Sequence, residues 1–164
     1  MINAQVGHDY ARHDLDAHGL ELAAAEGLAG AGVVMFTAAH VRDVRYASDA
    51  QVDVAATVGL THPTWAADAP DAVPAPAPGT INIVATMPVR LTAAALLNAL
   101  CTATEAKTQA LLDADVPGTG TPSDALTIAC PVDGPPEPFA GPRSVWGARL
   151  ARAVHAAVLA GTRR

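Results

Sequence analysis

Reactive side chains crowd into one stretch of an alanine-rich chain. Thr104, Glu105, Lys107 and Thr108 come together, and Gly118-Thr119-Gly120-Thr121-Pro122-Ser123-Asp124 follows. At about 100° per helical residue, Thr104 and Thr108 fall on the face of Leu97 and Leu100, with Glu105 and Lys107 on its shoulders. Threonines in such a stripe either bond back to carbonyls one turn earlier, or mark where packing stops and a cavity begins. In the second case Glu105 and Lys107 flank the cavity mouth. The glycine-threonine loop offers hydroxyls, exposed N–H groups and freedom for φ > 0, which suit an anion or a polarised carbonyl; the plainer reading is a turn. Asp124, at the mouth of the next strand, is a general base or a turn-capping carboxylate.

Other chemistry is thinner. The loop is neither GxxxxGK[ST] nor GxGxxG, and no Ser-His-Asp order, GxSxG elbow or HExxH pattern occurs. His8, His13 and His18 are spaced by five among Asp9, Asp14 and Asp16. That spacing puts no two on one helical face, so a solvated arm is preferred over a metal cluster. His40 ends a strand and is the best-placed histidine. His62 and Trp65 are the residues of recognition value in the longest irregular stretch; Trp65 either anchors a flat ligand or packs on the core.

These residues need a frame. Leu15–Ala29 reads as a helix capped by Asp14 and ended by Gly27 and Gly30. Val33–Phe36 reads as a buried strand. Residues 42–46 and 51–58 alternate about a Ser48-Asp49 turn, as in an antiparallel hairpin. Gly59–Gly79 is a loop whose Pro-Ala-Pro-Ala-Pro part is extended. Thr80–Met87 is a strand, Ala93–Ala114 a helix capped by Thr92, Ala125–Cys130 a strand and Ser144–Gly161 a closing helix. Strand, helix and strand over 80–130 form a parallel crossover unit. The fold class expected is mixed α/β: a single domain over residues 1–164, one mixed sheet of about five strands and two or three packed helices.

Composition narrows the class. A net charge of −6 gives no footprint for nucleic acid or anionic lipid, and no apolar run spans a membrane. The polar N-terminus lacks a secretory pattern, so a cytoplasmic location is expected. Cys101 and Cys130 read as buried free thiols. With aromatics at 4% and a hydrophobic fraction of 51%, the core must be built from small aliphatic residues.

Several runs taken together resemble one family. Gly79-Thr80-Ile81-Asn82-Ile83, then Thr102-Ala103-Thr104-Glu105-Ala106-Lys107-Thr108, then Gly118–Thr121 leading to Asp124-Ala125, are similar to the adenosylcobinamide amidohydrolase family. So are Asn3-x-Gln5-Val6 with Tyr10, Met35-x-Thr37-Ala38-Ala39, Ala56-Thr57-x-Gly59-Leu60 and Ala140-Gly141-Pro142. The resemblance implies hydrolysis of the amide between the corrin ring and the aminopropanol arm, giving adenosylcobyric acid in cobalamin salvage. It implies a small-molecule corrinoid as partner, no nucleic acid and no membrane, and no cofactor or metal beyond the substrate's own cobalt; a homo-oligomer is left open. On this reading Glu105 or Asp124 serves as base for water and Lys107 or the loop N–H groups steady the oxyanion. The substrate-binding candidates are Thr104, Thr108, Asn82, Gly118, Thr119, Thr121, Thr37, His40, His62 and Trp65. His62, where the family pattern carries Asn, and Pro122-Ser123 inside the loop are departures. They keep an amidase for another substrate in play; a non-catalytic corrinoid binder that kept the pocket is the other alternative.

Overall fold

The structure, a computed structural model, describes residues 1–69 and 79–163. Most of the proline-rich run of the long loop, residues 70–78, lies outside them. The fold class is mixed α/β, with six strands among the described residues divided between two sheets.

β1 (Ile2–Gln5) pairs in parallel with β2 (Val34–Thr37) in a two-stranded sheet, and α1 (Leu15–Ala25) joins them. Helix α1 rests on β2 through Gly19, where a Cβ would come 3.3 Å from Val34 Cγ2. It ends at Gly27, with φ +66°. Gly27 N–H donates to the Ala24 carbonyl and Leu28 N–H to that of Ala23, so a left-handed glycine caps the carbonyls the helix leaves open. Asp14 caps nothing with its side chain; it is held instead by Arg12, which also binds Glu21.

The second sheet runs β3 (Arg45–Asp49), β4 (Val52–Val58), β5 (Ile81–Thr86), β6 (Ala125–Ala129), antiparallel as far as β5 and parallel between β5 and β6. The parallel pair needs a long crossover, and α2 (Ala93–Asp113) supplies it. Thr92 caps α2 by accepting from Ala95 N–H. Ser144 caps α3 (Val145–Thr162) by accepting from Gly147 N–H. The β3–β4 turn falls on Ala50-Gln51, two residues later than Ser48-Asp49. The register pairs Asp49 with Val52 and turns Val52, Val54 and Ala56 into the core.

The buried face of α2 is not the leucine-threonine stripe. Ala95, Ala99, Ala103, Ala106 and Ala110 face inward with Thr102, Lys107 and Leu111. Leu97 is 67% exposed, and Cys101, Thr104 and Glu105 are exposed too. The reason is complementarity of size. Leu150, Val154 and Val158 of α3 and Ile81 and Ile83 of β5 occupy the common core, and alanines opposite large side chains let the layers close to native density. Cys130 is half-buried and Cys101 exposed, both as free thiols.

The β1–β2 layer lies on the opposite face of the large sheet and is tied down by polar groups. Asn82, buried on β5, donates to Asn3 Oδ1 at 2.8 Å and to the Phe36 carbonyl at 3.1 Å, while Asn3 Nδ2 donates to Thr57 Oγ1. No helix among the described residues is long and apolar enough to cross a membrane.

Candidate functional site

Register gathers several strand ends. Val58 pairs with Ile81, and Asn82 with Ala125, so the end of β4 meets the starts of β5 and β6. β2 ends there as well: a Cβ on Gly59 would come 3.1 Å from Ala39 Cβ. The ends of four strands therefore share one end of the molecule.

The centre of this end is an ion pair between Lys107 and Asp124, with side chains 7% and 9% exposed. Asp124 also accepts from Ile81 N–H at 3.0 Å, from Thr121 N–H at 3.2 Å and from the Thr121 hydroxyl. A carboxylate with four donors fixes its neighbours in place. It joins α2, the start of β5 and the 118–124 loop.

The two loop glycines serve closeness, not φ > 0, since neither has a positive φ. A Cβ on Gly120 would fall on Asp124 Oδ2 and come 2.6 Å from Lys107 Nζ. One on Gly118 would come 2.7 Å from Thr64 N. The space they leave admits the 61–66 segment. Thr64 N–H donates to the Gly120 carbonyl and Thr119 N–H to that of Thr64, both at 2.9 Å, and Ala66 N–H donates to Thr119 Oγ1. Trp65, 45% exposed, is thus carried on the outer side of the loop.

The remaining candidates divide into three groups. Thr108 donates to the Thr119 carbonyl at 3.2 Å, so it supports the loop, and Glu105, one helical turn earlier, is exposed. Thr104 does not point inward: it is exposed and bonds back to the Leu100 carbonyl at 2.8 Å. Asn82 is 1% exposed; its Nδ2 is spent between the layers, and its Oδ1 has no partner among the described residues. His62 is half-buried and its Nδ1 has no partner among the described residues.

Thr37 and His40 border two cavities, each of about 470 Å³. Both cavities reach His8 and Ala38. One is polar, lined by His40, Asp43, Arg45, Thr61 and Arg163. The Gln5 carboxamide accepts from Val41 N–H through Oε1, which turns its Nε2 toward His40 Nδ1 at 3.0 Å. Nδ1 therefore accepts, and the neutral ring carries its proton on Nε2 as a donor. The other cavity is mainly apolar, with Tyr10, Leu15, Val34 and Phe36 in its walls and Thr80, Pro122 and Ser123 on the loop side. Its hydroxyls form a pair, Thr80 Oγ1 to Ser123 Oγ at 3.0 Å.

Sequence reasoning missed this second cavity. Tyr10 and Phe36 in its wall stack with His18, which the spacing-of-five reading assigned to a solvated arm. The signal available was the scarcity of aromatics: Tyr10 and Phe36 are two of only six, and each flanks a run of small or polar residues.

Comparison with known proteins points to one family. The sequence model of the family described as adenosylcobinamide amidohydrolase matches residues 1–164. A protein of Halobacterium salinarum named adenosylcobinamide amidohydrolase is 38% identical over 133 residues, covering 77% of this chain and 57% of that protein. One of the same name from Methanosarcina mazei is 38% identical over 92 residues, covering 51% of this chain and 46% of its own length. The chain thus spans about half the length of the curated relatives it matches. No solved structure matches it.

Proposed function

Because the chain belongs to the adenosylcobinamide amidohydrolase family, we propose that it hydrolyses the amide between the corrin ring and the aminopropanol arm of adenosylcobinamide. The observation that supports this reading most directly is the buried Lys107–Asp124 pair, which braces a glycine-threonine loop whose Pro122 and Ser123 line the apolar cavity. Thr119 and Thr121 already donate their N–H groups to Thr64 and Asp124, so a polarised carbonyl would be met by the N–H groups of Gly120 and Ser123. The products are adenosylcobyric acid and aminopropanol, and the acid returns to cobalamin synthesis.

The roles follow from how each group is occupied. Asp124 is committed to four donors, so it is a positioning residue. Lys107 holds Asp124 and adds positive charge beneath the loop. Glu105 is the carboxylate left to take a proton: it is exposed, one helical turn before Thr108, whose hydroxyl holds the Thr119 carbonyl. Water attacks the amide carbon as its proton passes to Glu105; loop N–H groups receive the oxyanion; the C–N bond breaks as Glu105 returns the proton to the departing amine.

The experiment is incubation of the pure protein with adenosylcobinamide, following released aminopropanol. Wild type should release it, and Glu105→Gln should lower kcat by at least about 10²-fold while leaving corrinoid binding near the wild-type level. Release of aminopropanol at the wild-type rate by Glu105→Gln would remove Glu105 from the mechanism. A corrinoid that binds and comes back uncleaved from wild type would make this a binding protein. Turnover confined to simpler amides would make it an amidase of another class, as the His62 and Pro122-Ser123 departures allow.

A further inference from the structure

Building on that reading, we propose that the apolar cavity between β2 and the Pro122–Ala125 segment receives the adenosyl group of the corrinoid, and that stacking there selects adenosylated corrinoids over others. The sequence contains two Phe, two Tyr and two Trp, and Tyr10 and Phe36 both line this cavity. The rings of Tyr10, Phe36 and His18 lie with centroids 5.0 to 5.6 Å apart and planes within 26° of one another. Tyr10 Oη is held to His18 Nδ1 at 2.7 Å, so the group keeps its orientation. Near-parallel rings at a cavity wall are a surface on which a purine extends the stack.

The rest of the lining fits the remainder of a nucleoside. Leu15, Val34 and Val6 supply aliphatic walls, and the Thr80–Ser123 hydroxyl pair offers partners for a ribose. A cavity of about 470 Å³ suits a group of drug-like size. It is too small for a corrin ring with all its arms, which must lie outside, across the cavity mouth and the 118–124 loop. Because the adenosyl group is bonded to cobalt on one face of the ring, filling the cavity sets the ring plane relative to the loop. The neighbouring polar cavity, lined by Asp43, Arg45 and Arg163, contains no Phe, Tyr or Trp and does not suit a base.

The test is absorbance titration of the pure protein with adenosylcobinamide and, in parallel, with dicyanocobinamide. Wild type should bind the adenosylated form at least about tenfold more tightly. Phe36→Leu keeps apolar bulk without the ring, and Ala125→Leu narrows the cavity. Each should reduce that preference by about tenfold, with dicyanocobinamide affinity unchanged and a cooperative thermal transition retained. If either variant fails to fold, competition on the wild type decides: 5′-deoxyadenosine should displace adenosylcobinamide and leave bound dicyanocobinamide in place. Equal affinity of wild type for both corrinoids, a preference surviving in folded variants, or no competition overturns the adenosyl assignment alone. Failure of wild type to bind either corrinoid overturns the functional reading beneath it.

Discussion

Lys107 and Asp124 hold an ion pair where water barely reaches. Taking both charges out of water costs several kcal/mol each, and only close geometry with further hydrogen bonds offsets it. Asp124 has those bonds from Ile81 and Thr121. Removing one partner strands the other charge, so Lys107→Met should lower stability by about 3–5 kcal/mol in urea unfolding. Lys107→Met with Asp124→Asn keeps an acceptor for Ile81 N–H and leaves no naked charge. The double variant should therefore lose clearly less than the two single losses added together. A Lys107→Met variant as stable as wild type would mean that the pair is solvated. At this scale the sequence made Lys107 and Asp124 legible as reactive types, but not as a pair. They are 17 residues apart on a helix and a loop, and periodicity relates positions only within an element.

Elements were legible where one physical signal dominated. Thr92 and Ser144 are N-caps, and their side chains accept as such residues should. The alternation of Val52, Val54 and Ala56 predicted β4 and its buried face. Helix α2 was misread because it has two apolar stripes. Leucines outweigh alanines on a hydrophobicity count, yet close packing against large residues of α3 and β5 selects the alanines. The β3–β4 turn was misplaced for a related reason. Ala50 and Gln51 have φ of 44° and 74°, a left-handed pair that two-residue hairpins require and that Asn-Gly satisfies without strain. Neither residue announces a turn, so the strand register imposes it. Ala50→Asn with Gln51→Gly should then raise stability by roughly 1 kcal/mol or more, because the left-handed conformation costs ordinary residues about 1–2 kcal/mol each. A rise of a few degrees in the thermal midpoint would register this; a fall would mean that the turn is not of this kind.

On the scale of the molecule, the two layers are joined by unlike means. The large sheet meets α2 and α3 through a continuous apolar core. The β1–β2 layer meets that sheet's other face through Asn82, Asn3, Thr57 and a contact from Thr127 Oγ1 to Met35 Sδ. Polar contacts of this sort add about 1 kcal/mol each, and their loss leaves buried groups unpaired. The smaller layer should therefore open before the larger one. Its opening bears on the proposed function, since the residues after β1 and after β2 wall both cavities while the 118–124 loop belongs to the larger unit. Asn82→Ala removes two bonds and orphans the Phe36 carbonyl. Its amides at Ile2 and Val6, bonded to Val33 and Thr37, should exchange with deuterium at least about tenfold faster than in wild type, while those of β4 and β5 keep closer to their wild-type rates. Bound adenosylcobinamide should slow the same exchange by adding contacts from the closed layer. Uniform acceleration across both sheets would instead mean that the layers unfold together, and that the cavities cannot open on their own.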